Sequence, residues 1–76
     1  MSVVVKRSVT VAGHRTSVSL EEPFWEALRE IAGERGVGIG ALVASVDEDR
    51  SRENLSSALR LLVLRHYRDK AGAASG

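Results

Sequence analysis

Residues 15–20, with the sequence Arg-Thr-Ser-Val-Ser-Leu, alternate strictly between a polar set and a mostly apolar set. Successive side chains of a β-strand point to opposite faces, so one face of this strand would be mostly apolar, with Val18 and Leu20. The other face would carry one cation and two small hydroxyls: Arg15, Ser17 and Ser19. Residues 21–25, Glu-Glu-Pro-Phe-Trp, then have the composition of a helix start. A short two-faced strand that leads into helices predicts an α+β fold. The strand either forms half of a sheet core or displays its polar face on a sheet as a surface for contacting a partner.

The chain has 76 residues, which is one domain near the lower size limit for independent folding. Such a domain buries only about 60–65% of its unfolded surface, and no cysteine is available for a disulfide or a thiolate metal site. Oligomerisation is the remaining means of stabilisation. We predict one domain over residues 1–70 and a disordered tail at 71–76. No apolar run approaches the roughly 20 residues of a membrane span, so we expect a soluble cytoplasmic protein.

The charges are segregated along the chain although the net charge is only +1. Residues 1–20 carry three cations and no acid, whereas residues 21–49 carry eight acids against two cations. Residues 50–76 are basic again, with six cations and two acids. A basic strand region beside an acidic helix is more informative than the total, because local charge decides which partners a surface attracts.

Residues 3–11 are rich in β-branched side chains and alternate, which predicts a strand before residues 15–20. A turn at residues 12–14, with Gly13, would join the two strands into a hairpin. An isolated hairpin is marginal in water, so it must pack on helices or on another sheet. Apolar residues at helical spacing then predict three helices, at residues 22–35, 39–48 and 54–70.

The third predicted helix has more apolar surface than a one-sided helix needs, because Leu61 and Leu64 widen its stripe. Such excess suggests burial between two subunits. One alternative is therefore a protein-interaction module, an antitoxin-like or adaptor dimer in which Leu61, Leu64 and Tyr67 contact a partner.

Catalytic chemistry has little support in the sequence. His14 and His66 are the only histidines, and a lone histidine on an apolar helix stripe is more often packed than catalytic. The glycine-rich residues 36–40 lack the Lys and the Ser or Thr of a phosphate-binding P-loop. We predict no enzyme, no cofactor and no metal site.

The order of alternating strand, acidic helix start, amphipathic helix, glycine and second helix resembles the ribbon-helix-helix family of DNA-binding transcription factors. The resemblance covers about residues 15–47, with an extra N-terminal strand and an extra C-terminal helix outside it. The residues that carry it are the alternating stretch at 15–20 and Leu28, Ile31, Ala32 and Gly36.

This resemblance implies an intertwined homodimer in which one strand from each subunit pairs into a ribbon at the DNA major groove. It implies base-facing roles for Arg15, Ser17 and Ser19, and phosphate binding by the backbone near Gly38 and Gly40. The expected dimer core consists of Val18, Leu20, Trp25, Leu59 and Leu62.

Two alternatives stay open at this point. The family's second helix is either the one at residues 39–48 or the one at 54–70, and in the latter case Ser56 and Ser57 would contact phosphate. If the first strand joins the ribbon, four strands span about 14 Å, against a major groove of about 12 Å. Either that strand detaches as a basic arm with Lys6 and Arg7 on phosphates, or the sheet contacts the DNA backbone without entering the groove.

Overall fold

The computed structural model describes residues 3–11, 13–49 and 54–75 and forms a two-layer α+β structure. One layer is an antiparallel hairpin and the other consists of helices packed on one of its faces. The elements, in chain order, are β1 (Val4–Val11), β2 (His14–Glu21), α1 (Glu22–Arg35), α2 (Ile39–Asp49) and α3 (Leu55–Ser75). The predicted fold class, two strands followed by three helices, is confirmed.

The hairpin is paired over its whole length, from Val4 opposite Glu21 to Val11 opposite His14. Gly13 has φ of 81°, a left-handed conformation that a residue without Cβ adopts without strain, and this allows the tight connection. Residue 12, in the predicted turn, lies outside the described residues. Directly paired residues share a face, so the register decides which side chains of β1 join each face of β2.

The inner face of the hairpin packs on the helices through Val11, Val18 and Leu20, all buried. The alternation of residues 15–20 is confirmed, because its apolar members lie inside and its polar members outside.

Helix α1 has the bounds that the sequence predicts. Pro23 lies in the first turn, where its missing N–H is not needed by the helix. Gly36 ends the helix in the left-handed conformation, with φ of 69°. The N–H groups of Gly36 and Val37 then donate to the last free carbonyls of the helix. One apolar stripe of α1 is buried: Trp25, Leu28, Ile31 and Ala32.

Helices α2 and α3 complete the core with Leu42, Val43, Leu59 and Val63. Helix α3 extends to Ser75, whereas the sequence pattern predicts a helix end at residue 70 followed by a disordered tail. Residues 71, 73 and 74 are alanines, which are the strongest helix formers, so local propensity favours the extension. Gly76 lies outside the described residues. In the part of the chain that is described, no helix is long and apolar enough to cross a membrane.

Two leucines of α3 test this packing as a matched pair. Leu59 is completely buried, whereas Leu64 is 51% exposed. We expect Leu59→Ala to lower the free energy of unfolding by about 2–5 kcal/mol, because it leaves a cavity in the core. Leu64→Ala should change it by no more than about 0.5 kcal/mol. Urea unfolding followed by the fluorescence of Trp25, the single tryptophan of the chain, measures both. Equal decreases would contradict the described orientation of α3.

Candidate nucleic-acid interface

The face of the hairpin that points away from the helices is polar and basic. We define the outer face by six exposed residues: Lys6, Ser8 and Thr10 on β1 and Arg15, Ser17 and Ser19 on β2. The register places Thr10 beside Arg15, Ser8 beside Ser17, and Lys6 beside Ser19. The face therefore combines two cations with four hydroxyls, groups that donate to phosphate and to base edges.

Glu21 follows Ser19 on the same side of β2, opposite Val4, but its carboxylate is engaged by an arginine. Glu21 ends β2, and its carboxylate forms a two-pronged contact with the Arg60 guanidinium of α3, with N–O distances of 3.0 and 3.1 Å. A backbone hydrogen bond at Glu21, together with Arg60, lowers the pKa of the Glu21 carboxyl. The Arg60 guanidinium also lies 5.8 Å from the centre of the Phe24 ring. Glu21 is thus held toward the helices as an ionised, partnered group, and the outer face keeps its positive charge.

Arg7 does not lie on the outer face with Lys6. It is opposite Val18, on the inner face, and its guanidinium contacts the Glu22 carboxylate at 3.3 Å. The guanidinium also lies 5.8 Å from the centre of the Trp25 ring. The two cations expected to bind phosphate together thus occupy opposite sides of the sheet, because neighbouring residues of a strand alternate.

One edge of β2 is open. Antiparallel ladders alternate between pairs that exchange backbone hydrogen bonds and pairs whose N–H and C=O groups point away from each other. The Glu22 N–H donates to the Val3 oxygen at 3.1 Å, so Val3 and Glu22 form a hydrogen-bonded pair. The pairs alternate from there, and those whose backbone groups point outward include Lys6 with Ser19, Ser8 with Ser17 and Thr10 with Arg15. The outward-pointing backbone groups of β2 therefore include those of Arg15, Ser17 and Ser19. The described residues contain no third strand, so these groups form a free template for pairing.

The outer edge of β1 is partly covered by the start of α2. A Cβ on Gly40 would lie 3.5 Å from the backbone oxygen of Thr10, so the helix begins against the end of this strand. Gly38 is exposed, and its oxygen accepts the N–H of Leu42 at 3.1 Å. The predicted phosphate-binding glycines thus lie at the side of the sheet, next to β1 and away from the open edge of β2.

The start of α3 differs from that of α2 because it has a side-chain cap. Asn54 accepts the N–H of Ser57 at 2.8 Å through its side-chain oxygen. Ser56 and Ser57 are both half-buried. The N–H of Ser57 is therefore engaged, and phosphate binding by this pair would use the hydroxyls or the remaining first-turn N–H groups.

The residues predicted for the dimer core are packed within one protomer. Val18, Leu20, Trp25 and Leu59 are at most 2% exposed in the single chain, and Leu62 is half-buried at the margin of the core. Their burial requires no second copy. Their assignment to a dimer interface stays a prediction, and the open edge of β2 is the surface that a second copy could use.

Helices α1 and α3 are joined by polar contacts that the sequence pattern did not indicate. The acids of α1 have the spacing of a solvated face, yet Glu30 accepts the hydroxyl of Tyr67, and Glu34 contacts Lys70 at 2.6 Å. Leu61, Leu64 and Tyr67 are all exposed, as a protein-docking surface would require, but the Tyr67 hydroxyl is bonded to Glu30 within the protomer. The Tyr67 hydroxyl therefore gives no support to the alternative that α3 binds a protein partner.

Sequence reasoning missed three residues of the interface. Ser8 and Thr10 complete the outer face, and Arg60 holds Glu21. The predicted turn at residues 12–14 is wrong at His14, which belongs to β2 and pairs with Val11. With the connection one residue shorter the register shifts, and this register decides that Ser8 and Thr10 share a face with Ser17 and Arg15. No local signal connects Arg60 with Glu21, since 39 positions separate them.

Comparison with known proteins identifies the fold. A family model described as a ribbon-helix-helix domain matches residues 4–67, so the match includes β1 and most of α3. The solved structure of an uncharacterized protein from Bordetella pertussis Tohama I is similar, with a TM-score of 0.80 and 32% sequence identity. The alignment covers 95% of this chain and 62% of that chain, so this chain spans less than two thirds of its length. No curated protein matches.

The Glu21–Arg60 pair predicts a specific decrease of stability in acid. The pKa of Glu21 is lower in the folded protein than its ordinary value of 4.5, so the ionised carboxylate stabilises the fold at neutral pH. That contribution disappears as the pH falls below 4.5 through the folded pKa. We expect Glu21→Gln to lower the urea midpoint at neutral pH and to reduce the further decrease on acidification.

The double variant Glu21→Gln with Arg60→Gln is the control. Since either single change breaks the same ion pair, the double variant should be destabilised by less than the sum of the two singles. Strict additivity, or an unchanged pH dependence in Glu21→Gln, would show that the pair contributes nothing.

Proposed function

Because this chain belongs to the ribbon-helix-helix family, whose members generally bind DNA and regulate transcription, we propose that it is a homodimeric, sequence-specific DNA-binding regulator. In this proposal the β2 strands of two copies pair antiparallel, and their outer faces lie at the major groove of duplex DNA. The protein acts by binding and not by catalysis.

The observation that carries the proposal is the combination of two properties on one strand. The outward-pointing backbone groups of β2 are unpaired within the described chain, and the same residues present their side chains on the basic outer face. Pairing of two copies along this edge would use the backbone of Arg15, Ser17 and Ser19 and leave their side chains pointing at DNA. One strand thereby supplies both the dimer seam and the base-contacting surface.

The side chains of β2 suit recognition of base edges with modest discrimination. Arginine can donate two hydrogen bonds to O6 and N7 of guanine, whereas serine can donate to or accept from several bases. Arg15 is exposed on the outer face, which leaves its guanidinium accessible to such a pairing. We therefore assign most of the base preference to Arg15 and a weaker contribution to Ser17 and Ser19.

The two histidines of the chain lie apart. His14 lies at the hairpin end, and His66 lies on α3 with its Nε2 atom 2.8 Å from the Glu34 carboxylate. These side chains belong to different surfaces. Within the described residues, no group of three or more His, Cys, Asp or Glu side chains could hold a metal ion.

Removal of the Arg15 side chain tests the DNA contact. The wild-type protein should bind duplex DNA at low salt with an affinity that falls as salt rises. We expect Arg15→Ala to weaken binding to the preferred sequence by about 1–3 kcal/mol for each bidentate pairing and to reduce its preference over other sequences. Arg29→Ala, which removes an exposed cation from α1, is the matched control and should leave the preference unchanged. Fluorescence anisotropy on selected and scrambled duplexes measures both, and an unchanged preference in Arg15→Ala would place base recognition elsewhere.

Proline substitution tests the proposed dimer interface between the two β2 strands. Ser8 and Ser17 are directly opposite each other in the hairpin, and the N–H of each points to an outer edge. Ser17→Pro removes a donor from the open edge of β2 and should convert the dimer to a monomer, whereas Ser8→Pro should leave it dimeric. Analytical ultracentrifugation gives the oligomeric state, and Trp25 fluorescence verifies folding. A dimer that survives Ser17→Pro but not Ser8→Pro would place the seam at β1.

A further inference from the structure

We infer that β1 is a DNA phosphate-contacting strand that stays within the sheet, with Lys6 on phosphate and Arg7 excluded from the DNA. The inference rests on the proposed function, since it concerns which part of DNA the outer strand of the dimeric sheet contacts. The first strand could detach from the sheet as a basic arm or stay in the sheet on DNA. The positions of Lys6 and Arg7 on opposite faces of β1 favour the second alternative.

The first step is that β1 is held in the sheet and not free to act as an arm. It pairs with β2 at eight consecutive positions, and the Trp25 Nε1–H donates to the backbone oxygen of Val5 at 2.9 Å. Arg7 adds its contacts with the Glu22 carboxylate and the Trp25 ring. Detachment of β1 would break the ladder and leave the indole N–H without its acceptor, which is unfavourable for a donor on a buried side chain.

The second step is the width of the dimeric sheet. Pairing through the open edge of β2 places the two β2 strands in the centre and the two β1 strands outside. Neighbouring strands lie about 4.8 Å apart, so the β1 strands of the two copies are about 14 Å apart. The major groove is about 12 Å wide, so the β1 strands lie over its phosphate-lined walls. The β2 pair then lies above the groove, from which the long Arg15 side chain reaches the base edges more readily than the short Ser17 and Ser19 side chains.

The third step is that β1 presents suitable groups toward those walls. Its outer face carries the Lys6 ammonium and the hydroxyls of Ser8 and Thr10, all exposed. A lysine ammonium is a compact charge that binds phosphate without base discrimination, and hydroxyls add hydrogen bonds to phosphate oxygens. Each copy would contribute one Lys6, so the pair of β1 strands would contact both strands of the duplex.

The fourth step excludes Arg7. It follows Lys6 directly but points to the helix side of the sheet, where the Glu22 carboxylate compensates its charge. A sheet that lies flat on DNA cannot use both side chains at once. A mobile arm, in contrast, would have no reason to distinguish them.

The test is the salt dependence of DNA binding by two charge-neutralising variants of the whole chain, Lys6→Gln and Arg7→Gln. The slope of log affinity against log salt falls by about 0.9 for each phosphate that the protein no longer neutralises, and a dimer has two copies of Lys6. We expect Lys6→Gln to reduce the slope by about 2 and to weaken binding equally on selected and scrambled duplexes. Arg7→Gln should leave the slope at the wild-type value.

Other outcomes overturn the inference. An equal reduction in both variants would indicate a detached arm, and an unchanged slope in Lys6→Gln would show that β1 does not contact phosphate. If the wild-type protein binds no duplex DNA, the proposed function fails and the inference fails with it. Wild-type binding with an unchanged Lys6→Gln slope leaves the function intact and removes only the role of β1. Arg7→Gln removes the cation that lies over the Trp25 ring, so this variant needs a test of its folding. Trp25 fluorescence at each salt concentration provides that test.

Discussion

The Trp25 indole joins the hairpin to the helices, and the orientation of the sheet depends on it. The side chain is fully buried at the start of α1, and its N–H donates to the Val5 oxygen of β1. A buried tryptophan N–H needs a partner, so this bond ties the first strand to the first helix by a directional constraint and not only by apolar contact. The Arg7 guanidinium lies over the ring. The hairpin is thereby held with one face on the core and the other in solvent.

The segregated charges of the chain become compensating pairs once the elements pack. Acids from the junction of β2 and α1 meet arginines of α3 and β1, as Glu21 meets Arg60 and Glu22 meets Arg7. Further along α1, Glu34 meets Lys70 of α3. Cations of neighbouring elements therefore compensate the charges of Glu21, Glu22 and Glu34, which reduces their opposition to the basic outer face and suits a surface that is to approach a polyanion.

Local patterns predicted the elements well, because each depends on residues close in sequence. Pro23 and Gly36 mark the two ends of α1, and its bounds match the prediction. The strand at residues 15–20 was recognised from a period of two alone. The same alternation places the neighbours Lys6 and Arg7 on opposite faces of β1, but which of the two lies on the outer face depends on the hairpin register. A shift of one residue in that register would exchange the two faces of β1.

The sequence by itself determined the α+β class, the helix boundaries near glycine and proline, and which side of β2 is apolar. These follow from periodicity and backbone preference, which act over a few residues. Only the tertiary structure decided that Ser8 and Thr10 share a face with Arg15, that Arg60 holds Glu21, and that one edge of β2 stays open. Such relations link residues far apart in the chain, and they depend on register and packing, which no local pattern encodes.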